Sequence, residues 1–577
     1  MARTPLFHLL QRSMRIARAA LRSDAPLDEF CQQGAERRID LRRRRLLQGS
    51  GAGLVLAGCG TPMRRASPPG SEVAIVGAGI AGLTAAWRLR QAGVPVRVYE
   101  AQTRIGGRML SLRGHFADDQ VIELGGELID SHHLRIRALA AELGLVLDDL
   151  LDGDADADTW FFDGRRIGER ELVEAFVPVA AAIERDLALM GEDEMTYHGA
   201  SPETFAHVKA FDAMSIAQWF DRNGVSGWLR KLLDVAYTTE MGLEIDQQSA
   251  LNFITFIGTD PEKFHVFGES DERFHVRGGN DLVVQGLAEK VADAIEISSV
   301  LESLRAQGDG YVLGFRRDGA SREVRADQVI LALPFTLLRK VRLDLELPAV
   351  KRRAIETMAY GSNAKLMIGY DRRVWRAQGA NGASMSDLSY QTTWETSRKQ
   401  AGRAGVLTNF TGGRHGVEIG QGTPAAQAAA ATAALERVFP GVGAARAGMR
   451  EARFHWPSNP WVLGSYACYR PGDWAGFLGA EGESVGGLHF AGEHTSLEAQ
   501  GFMEGGCESG EAAARAVLAA MGVRPLRIAG MPGVPPSGVA GAPGAGASGV
   551  AGASAARPPG AAAKGKRRNG SLRPVVA

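Results

Sequence analysis

A glycine pattern in the first fifth of the chain constrains the fold more than any other feature. An apolar run at 73–76 leads into Gly-Ala-Gly-Ile-Ala-Gly at 77–82 and then into an amphipathic segment. A second apolar run at 96–99 ends at Glu100. This order of strand, glycine turn, helix, strand and acid is typical of a nucleotide-binding βαβ unit. Glu100 is placed to accept hydrogen bonds from a ribose 2′-hydroxyl, so the pattern predicts a dinucleotide without a 2′-phosphate.

Each position of the glycine turn has a mechanical reason. Gly77 permits the tight turn, Gly79 lets the backbone approach a pyrophosphate, and Gly82 allows the helix to pack closely on the strand. The helix begins at Ile80 and Ala81, where free N–H groups and a partial positive charge would face the phosphates. We therefore expect these five residues to form the phosphate side of the cofactor site.

The residues after the second strand indicate which dinucleotide is bound. They read Glu-Ala-Gln-Thr-Arg-Ile-Gly-Gly-Arg at 100–108, which resembles the E-A-x-x-R-x-G-G-R motif of the flavin amine oxidases. The resemblance implies an α/β fold with a Rossmann-type, GR2-like FAD-binding domain, and cofactor contacts from Ala101, Arg104, Gly107 and Arg108. A second glycine pair lets more backbone N–H groups approach the same pyrophosphate, and Arg108 can pair with its charge.

A block some four hundred residues later matches the same family. The segments 489–495 and 500–506 resemble its F-A-G-E-x-T and G-[YF]-M-E-G-A motifs. The resemblance implies that Gly492 and Glu493 touch the ribityl chain and that the Met503 N–H faces the flavin pyrimidine. A donor there stabilises negative charge on reduced flavin. The other cofactor contacts implied by the resemblance are Gly125, Gly126, Glu127, Val300 and Trp456.

Three residues are candidates for the chemistry. Lys365 lies in a run with the alternation of a strand, and Trp375 follows it. The resemblance implies that a lysine at this spacing before a tryptophan holds a water against flavin N5. Tyr466 and Phe502 fall where the family places two aromatic rings beside the path of the amine, and such rings can orient its nitrogen.

The residue before Tyr466 bears on how the flavin is held. Monoamine oxidases attach their flavin through a cysteine at this position, where this chain has Ser465. Cys468 is two residues past Tyr466 and is not at the attachment position. The sequence therefore predicts noncovalent FAD.

The segment around 123–133 bears on the substrate. L-amino-acid oxidases grip the substrate carboxylate with an arginine shortly after the glycines, and Leu128 stands at about that place. An amino-acid substrate would therefore need another arginine. Glu127 or Asp130 is a candidate to receive a cationic amine, although each is equally well explained as a helix-start acid or a solvated charge.

The resemblance covers about residues 72–521 and implies an interleaved organisation. The FAD-binding domain is expected from 71–150, 276–347 and 454–521, and an α+β substrate domain of the amine oxidase type from 151–275 and 348–453. The implied reaction is oxidation of a primary or secondary amine, or of an L-amino acid, by hydride transfer to flavin N5. The imine hydrolyses to an aldehyde or keto acid plus ammonia, and dioxygen is reduced to hydrogen peroxide.

The same motifs are compatible with other functions. A tryptophan 2-monooxygenase-like or L-amino-acid oxidase activity shares the same motifs. A carotenoid-desaturase-like or protoporphyrinogen-oxidase-like enzyme shares the first half, but Lys365 and the pair Tyr466 and Phe502 argue against it. A flavoprotein subunit without turnover is the alternative from another class, and a homodimer is a further expectation.

Composition excludes little but is consistent with an enzyme. Lys plus Arg and Asp plus Glu are equal at 66 each, so no nucleic-acid partner is indicated. The four cysteines form no C-x-x-C pattern and no metal-ligand spacing, so we predict no metal site.

The composition of both ends of the chain predicts segments that do not belong to the folded catalytic domains. Residues 1–70 contain Arg43-Arg44 before a short Gly/Ala-rich apolar run, which resembles a twin-arginine export signal to the periplasm. The run ends in a lipobox-like Leu-Ala-Gly-Cys, which predicts a lipid anchor at Cys59. A basic leader on a cytoplasmic protein is the alternative. Residues 522–577 are rich in Gly, Pro and Ala, and this composition predicts disorder.

Overall fold

Helices and strands are described here from a computed structural model that covers residues 72–152, 157–191, 195–199, 201–256 and 270–524. The predicted leader with Cys59, and the predicted tail from residue 525 onward, lie outside these residues. The described helices are α1 (Ile80–Gln91), α2 (Leu134–Glu142), α3 (Glu169–Met190), α4 (Pro202–Asp212), α5 (Ile216–Arg222), α6 (Gly227–Met241), α7 (Ala250–Ile254), α8 (Asp281–Lys290), α9 (Phe335–Leu338), α10 (Ala349–Thr357), α11 (Gly413–Glu418), α12 (Pro424–Leu435), α13 (Val442–Ala445), α14 (Trp474–Phe477) and α15 (Met503–Ala520). Within the covered ranges, no helix combines the length and apolar character needed to cross a membrane.

The strands are shorter and more numerous than the helices. In chain order they are β1 (Val73–Val76), β2 (Val96–Tyr99), β3 (Ser111–Leu112), β4 (Ile122–Glu123), β5 (Leu147–Asp149), β6 (Ala157–Phe162), β7 (Arg165–Ile167), β8 (Phe274–Val276), β9 (Ile295–Glu296), β10 (Val300–Gln307), β11 (Gly310–Arg317), β12 (Ala320–Ala326), β13 (Gln328–Leu331), β14 (Arg342–Asp344), β15 (Ala359–Tyr360), β16 (Ala364–Tyr370), β17 (Ala380–Ser386), β18 (Thr392–Glu395), β19 (Gly405–Thr411), β20 (Glu451–His455), β21 (Ala467–Cys468) and β22 (Leu488–Phe490).

A five-stranded parallel sheet forms the centre of the nucleotide-binding half. Its strand order is β22, β13, β1, β2, β9, and every pair is parallel. The uninterrupted apolar run of β1 is buried throughout, as expected for a parallel strand covered on both faces. The strands come from all three segments that the sequence assigns to the cofactor domain. Parallel strands need crossover connections, which explains why one sheet collects such distant pieces of chain.

A seven-stranded sheet forms the centre of the other half of the molecule. Its order is β20, β16, β19, β18, β17, β6, β7, with antiparallel pairing except between β17 and β6. All seven residues of β16 are buried. The strand predicted around Lys365 is therefore present, and Lys365 is buried because β16 lies between two neighbouring strands and under packed side chains on both faces.

The middle of the chain largely follows the predicted helices, with one break. The helical spacing over 169–190 corresponds to α3, which has those bounds. The spacing over 215–235 predicts one helical stretch, whereas the structure has α5 and α6 on either side of Gly224. Gly224 adopts a φ of 67°, a left-handed conformation that ends a right-handed helix and that glycine adopts at little cost.

Candidate active site

One cavity of about 500 Å³ lies between the glycine turns of the parallel sheet and one face of the seven-stranded sheet. Most of the residues selected from the sequence line it. They are Gly77, Gly79, Ile80, Ala81, Glu100, Ala101, Gly107, Arg108, Gly125, Gly126, Glu127, Val300, Lys365, Trp456, Tyr466, Gly492, Glu493, Phe502 and Met503. Two selected residues, Gly82 and Arg104, are not part of the lining.

The first glycine turn has the shape of a phosphate cradle. Gly77 has a φ of 106°, and a Cβ there would lie 2.4 Å from the carbonyl oxygen of Ala332. A Cβ at Gly82 would lie 2.0 Å from the carbonyl oxygen of Gly77, so this glycine serves helix packing. A Cβ at Gly79 would meet nothing within 4 Å. Gly79 therefore leaves open space beside the free N–H groups at the start of α1.

The second glycine turn lies directly against the first. The Gly106 N–H donates to the Ala78 carbonyl at 2.8 Å. Arg104 donates to the carbonyls of Ile105 at 3.1 Å and Gly107 at 2.9 Å. Arg104 therefore fixes the shape of this turn, and its role as a direct cofactor contact is not supported by its position outside the cavity lining.

Glu100 is buried at one end of the cavity. Its carboxylate accepts hydrogen bonds from the N–H groups of Ala78 at 2.8 Å and Gln102 at 2.9 Å. Burial raises the pKa of Glu100, and these two donors oppose that shift. The acid is thus held in place at the end of β2, where the sequence pattern expects a ribose.

An ion pair joins two of the remote segments. Arg108 donates to Glu493 at 2.6 Å and to the Ser465 carbonyl at 2.8 Å. Glu493 also accepts from the N–H groups of Gly501 at 2.8 Å and Ala467 at 3.3 Å. The charge of Arg108 is therefore balanced within the protein, and its side chain fixes the wall of the cavity.

Lys365 points into the cavity and pairs with Glu127. The Lys365 Nζ lies 2.7 Å from the Glu127 carboxylate and 2.8 Å from the Gly125 carbonyl oxygen. The other carboxylate oxygen of Glu127 accepts from Trp394 Nε1 at 2.8 Å and Thr396 Oγ1 at 2.6 Å. Burial raises the pKa of Glu127. The positive charge of Lys365 and the hydrogen bonds from Lys365, Thr396 and Trp394 bring the pKa below its ordinary value. Glu127 is thus a buried, ionised partner of the lysine, and it is neither a solvated charge nor free to receive an amine.

Tyr466 and Phe502 are the two aromatic candidates, and both line the cavity. The Tyr466 hydroxyl donates to the Glu240 carbonyl at 2.9 Å, near the end of α6. Phe502 is the N-cap residue of α15 and packs edge-on against His133, with ring centroids 5.0 Å apart. Met503 begins α15, and its side chain packs against Gly126, where a Cβ would lie 2.8 Å from it. The helix N-terminus expected at the flavin pyrimidine is therefore present.

Trp375 and Asp130, which the sequence analysis also considered, do not line the cavity. Trp375 is fully buried and donates from Nε1 to Glu395 at 2.7 Å. Asp130 is buried and accepts hydrogen bonds from Ser270 and from the Glu272 N–H, and burial raises its pKa to about 7. Neither residue lines the cavity. The hypothesis that Asp130 receives a cationic amine is therefore not supported by its position.

Trp394, Phe410 and Glu272 are among the lining residues that the sequence analysis did not select. Lys365 pairs with Phe410 across β16 and β19, and Phe410 pairs with Thr392 across β19 and β18. Because side chains alternate along a strand, this register puts Trp394 on the same face as Lys365. No local pattern marks Glu272, which lies two residues before β8.

The cavity fits a flavin dinucleotide. Its glycine side is open at Gly79 beside a helix N-terminus, its ribose end has a fixed acid, and its far end presents a lysine and aromatic rings. The adenosine ribose, the phosphates and the isoalloxazine ring would need Glu100, the start of α1 and the Lys365 end of the cavity, respectively.

Comparisons with known proteins agree with this arrangement. Residues 80–518 match the family model described as flavin containing amine oxidoreductase. The chain therefore belongs to the flavin-containing amine oxidoreductase family, and it is a flavin-dependent oxidoreductase.

Individual relatives are distant in sequence, but the match with this chain covers most of the length of each relative. An L-amino acid dehydrogenase of Synechocystis sp. is 27% identical over 77% of this chain and 94% of that protein. A flavin-containing amine oxidase of Danio rerio is 26% identical over 78% of this chain and 86% of that protein. The structure of cyclohexylamine oxidase from Brevibacterium oxydans superposes with a TM-score of 0.69 at 24% identity, and covers 79% of this chain and 100% of that one. This last likeness confirms the fold.

Proposed function

We propose that this enzyme binds FAD noncovalently and oxidises an amine, with dioxygen as the electron acceptor. The observation that carries the proposal is the convergence of three distant glycine-bearing segments with Lys365, Tyr466 and Phe502 on one cavity. When bound, the flavin would take a hydride from the carbon next to the amine nitrogen. The protein supplies binding, orientation and charge.

The residues around the reacting end have separable tasks. The ion pair with Glu127 and the bond to the Gly125 carbonyl hold the Lys365 ammonium in one position. Its three N–H donors go to Glu123, Gly125 and Glu127, and its fixed charge can stabilise negative charge that develops beside it. The rings of Tyr466 and Phe502 can orient an amine nitrogen through their π-faces. The apolar lining excludes water, which favours an amine that enters without its proton.

Anaerobic bleaching of the flavin tests the reaction. The purified holoprotein, mixed without oxygen with a panel of amines and L-amino acids, is expected to lose its visible flavin absorbance with amines. Admission of oxygen should restore the absorbance and release hydrogen peroxide. A protein that refuses FAD, or whose flavin no amine reduces, would contradict the proposal and favour a subunit without turnover.

An L-amino-acid oxidase or tryptophan 2-monooxygenase-like activity is the competing function. One relative is named an L-amino acid dehydrogenase, but Leu128 stands where an arginine would grip the carboxylate. Among the described lining residues the cations are Arg108, Lys340 and Lys365, and the first and last are already paired with Glu493 and Glu127. Bleaching by L-amino acids in preference to amines would support the competing function.

The residue at position 465 supports noncovalent attachment. The Ser465 hydroxyl donates to Asn363 Oδ1 at 2.7 Å, and serine lacks the thiol needed for a thioether to the flavin. Cys468 is buried and does not line the cavity. Acid precipitation should leave the yellow chromophore in the supernatant. Flavin that stays in the pellet would contradict this part of the proposal.

The location of the enzyme is a separate proposal, supported by the leader sequence alone. Arg43-Arg44 and the following apolar run favour export by the twin-arginine route to the periplasm, with Cys59 as a lipid anchor. Cell fractionation of the wild type and of an Arg43→Lys, Arg44→Lys double variant tests the route. Cys59→Ser, which should release the protein from the membrane fraction, tests the anchor. A homodimer is expected, and light scattering of the purified enzyme measures it.

A further inference from the structure

Among the residues that the structure describes, four carboxylates line the cavity, and three of them have partners within the protein. Glu100 accepts from two backbone N–H groups, Glu127 pairs with Lys365, and Glu493 pairs with Arg108. The fourth is Glu272. Only 4% of the residue is exposed, and neither carboxylate oxygen has a hydrogen-bond partner in the described part of the chain. A buried carboxyl group without partners is costly to a fold unless a ligand completes it.

Hydrogen bonds hold the backbone around Glu272 at the cavity wall. Asp130 Oδ1 accepts hydrogen bonds from the Ser270 hydroxyl at 2.7 Å and from the Glu272 N–H at 2.6 Å. Asp271 accepts from the Ser131 N–H at 2.7 Å. Glu272 has a φ of 44°, which non-glycine residues adopt rarely and at a cost in energy. The anchors offset that cost and fix the direction of the carboxyl group.

The charges that face Glu272 are mostly negative. Burial raises the pKa of Glu272 well above its usual range, and the nearby carboxylates of Asp130, Glu240 and Glu127 raise it further. Arg398 is the cation that acts against them, and it does not line the cavity. These surroundings therefore favour a neutral carboxyl group. A cationic ligand could replace its proton, whereas an anionic group would be repelled.

We propose that Glu272 binds a second, protonated nitrogen of the substrate, so that the preferred substrates are α,ω-diamines. The inference rests on the proposed amine oxidation. One nitrogen reaches the flavin end beside Lys365 as a free amine, and the distal ammonium forms a charged hydrogen bond with the Glu272 carboxylate. Glu272 gives up its proton when this ammonium binds. An amino acid would bring a carboxylate into the same negative surroundings, which disfavours it.

Matched pairs of ligands test the inference on the holoenzyme. A series of α,ω-diamines is compared with monoamines of the same carbon count, in steady-state assays and in anaerobic flavin titrations. The wild type should have a KM and a Kd at least about tenfold lower for the best diamine than for its monoamine, a charged-pair effect. In Glu272→Gln this ratio should fall to about one. Exposed Glu289→Gln is the control and should keep the wild-type ratio.

A binding measurement gives an independent readout. Calorimetry of diamine binding in buffers of different ionisation enthalpy should show one more proton released by the wild type than by Glu272→Gln. Equal affinity for diamines and monoamines in the wild type would overturn the inference even if the variant failed to fold. A preference that persists in Glu272→Gln, or a change confined to FAD affinity, would also overturn it. Failure of every amine to bleach the flavin would instead overturn the proposed function.

Discussion

Single residues hold this site together mainly by pairing buried charges. The ammonium of Lys365 and the carboxylate of Glu127 are both buried and 2.7 Å apart. Removing one partner of such a pair leaves the other charge without compensation, which commonly costs about 3–5 kcal/mol. Lys365 therefore has a structural task as well as a chemical one, and experiments must separate the two.

We predict that Lys365→Met slows the half-reactions of the flavin by roughly a hundredfold, because a fixed cation near the reacting atoms is lost. Stopped-flow measurements of anaerobic reduction and of reoxidation give the two rates. The variant should also be less stable, because Glu127 loses its counterion.

The double variant Glu127→Gln, Lys365→Met is the matched control. It should recover much of the stability lost in the single variant while its flavin rates stay low. Flavin rates that recover together with stability would show that Lys365 acts only through the fold.

The two glycines at the start of α1 should respond differently to the same substitution. Gly79→Ala adds a methyl group to open space in the cavity, so the protein should fold with a near wild-type melting temperature and bind FAD poorly. Gly82→Ala puts a methyl group 2.0 Å from the Gly77 carbonyl oxygen and should destabilise the fold itself. Thermal unfolding and FAD titration of both variants measure the contrast. Equal loss of folding in both would contradict the assignment of Gly79 to the phosphate cradle.

At the scale of elements, α15 connects the two ends of the nucleotide-binding half. Its glycines let it approach α1 closely, since a Cβ at Gly510 would lie 2.3 Å from the Ala81 carbonyl oxygen. Its first turn carries Glu504, which accepts from the N–H groups of Arg135 at 3.0 Å and Ile136 at 2.9 Å. These N–H groups belong to the first turn of α2 and have no intrahelical partner. One helix thus positions Met503 at the cavity and caps α2.

The pH dependence of stability should report on Glu504. Burial raises the pKa of Glu504 to about 7, although its two backbone donors oppose the shift. A carboxyl group with a raised pKa binds its proton more tightly in the folded state. Its contribution is therefore complete below its unfolded pKa near 4.5 and is lost as the pH rises through about 7. The loss amounts to at most about 3 kcal/mol.

Denaturant unfolding at pH 5 and pH 8 measures this effect. The wild type should lose more stability between the two pH values than Glu504→Gln does. Glu498→Gln changes a nearby exposed carboxylate and should behave as the wild type. The same pH slope in Glu504→Gln as in the wild type would show that Glu504 does not titrate in this range.

At the scale of the whole molecule, cofactor binding depends on pieces of chain that are far apart in sequence. The parallel sheet joins β1 and β2 to β9, β13 and β22. The cavity is closed on its other side by β16 and its neighbours in the seven-stranded sheet. A ligand that contacts all of these segments stabilises only the assembled state.

We predict that FAD raises the stability of the apoprotein by about 2.7 kcal/mol at one hundred times its Kd, as linkage requires. Fluorescence reports on nine tryptophans, among them Trp160 and Trp394 in the seven-stranded sheet, and far-ultraviolet circular dichroism reports on all elements. Both signals should shift to higher temperature together when FAD is added. Transitions that FAD leaves unmoved would contradict the prediction that the cofactor stabilises the assembled state.

Several parts of the fold and the site could be predicted from the sequence because their signals are local. The glycine turn at 77–82, the acid at the end of β2 and the Met503 helix start are fixed by backbone conformation over a few residues. The strand around Lys365 has a local signal, but its ion pair with Glu127 has none, and the position of Asp130 outside the cavity lining gives no support to a role in amine binding. Burial depends on neighbouring strands and loops, and these are not visible in a local pattern.

By itself, the sequence determined the nucleotide-binding turn and the family, because turn geometry and motif spacing are properties of neighbouring residues. Only the tertiary structure decided which charges meet. Lys365 and Glu127 are 238 positions apart, and Glu272 becomes a cavity residue only because Asp130, far away in the chain, anchors its loop. Electrostatic interactions depend on distance in space and on burial, and the folded protein sets both.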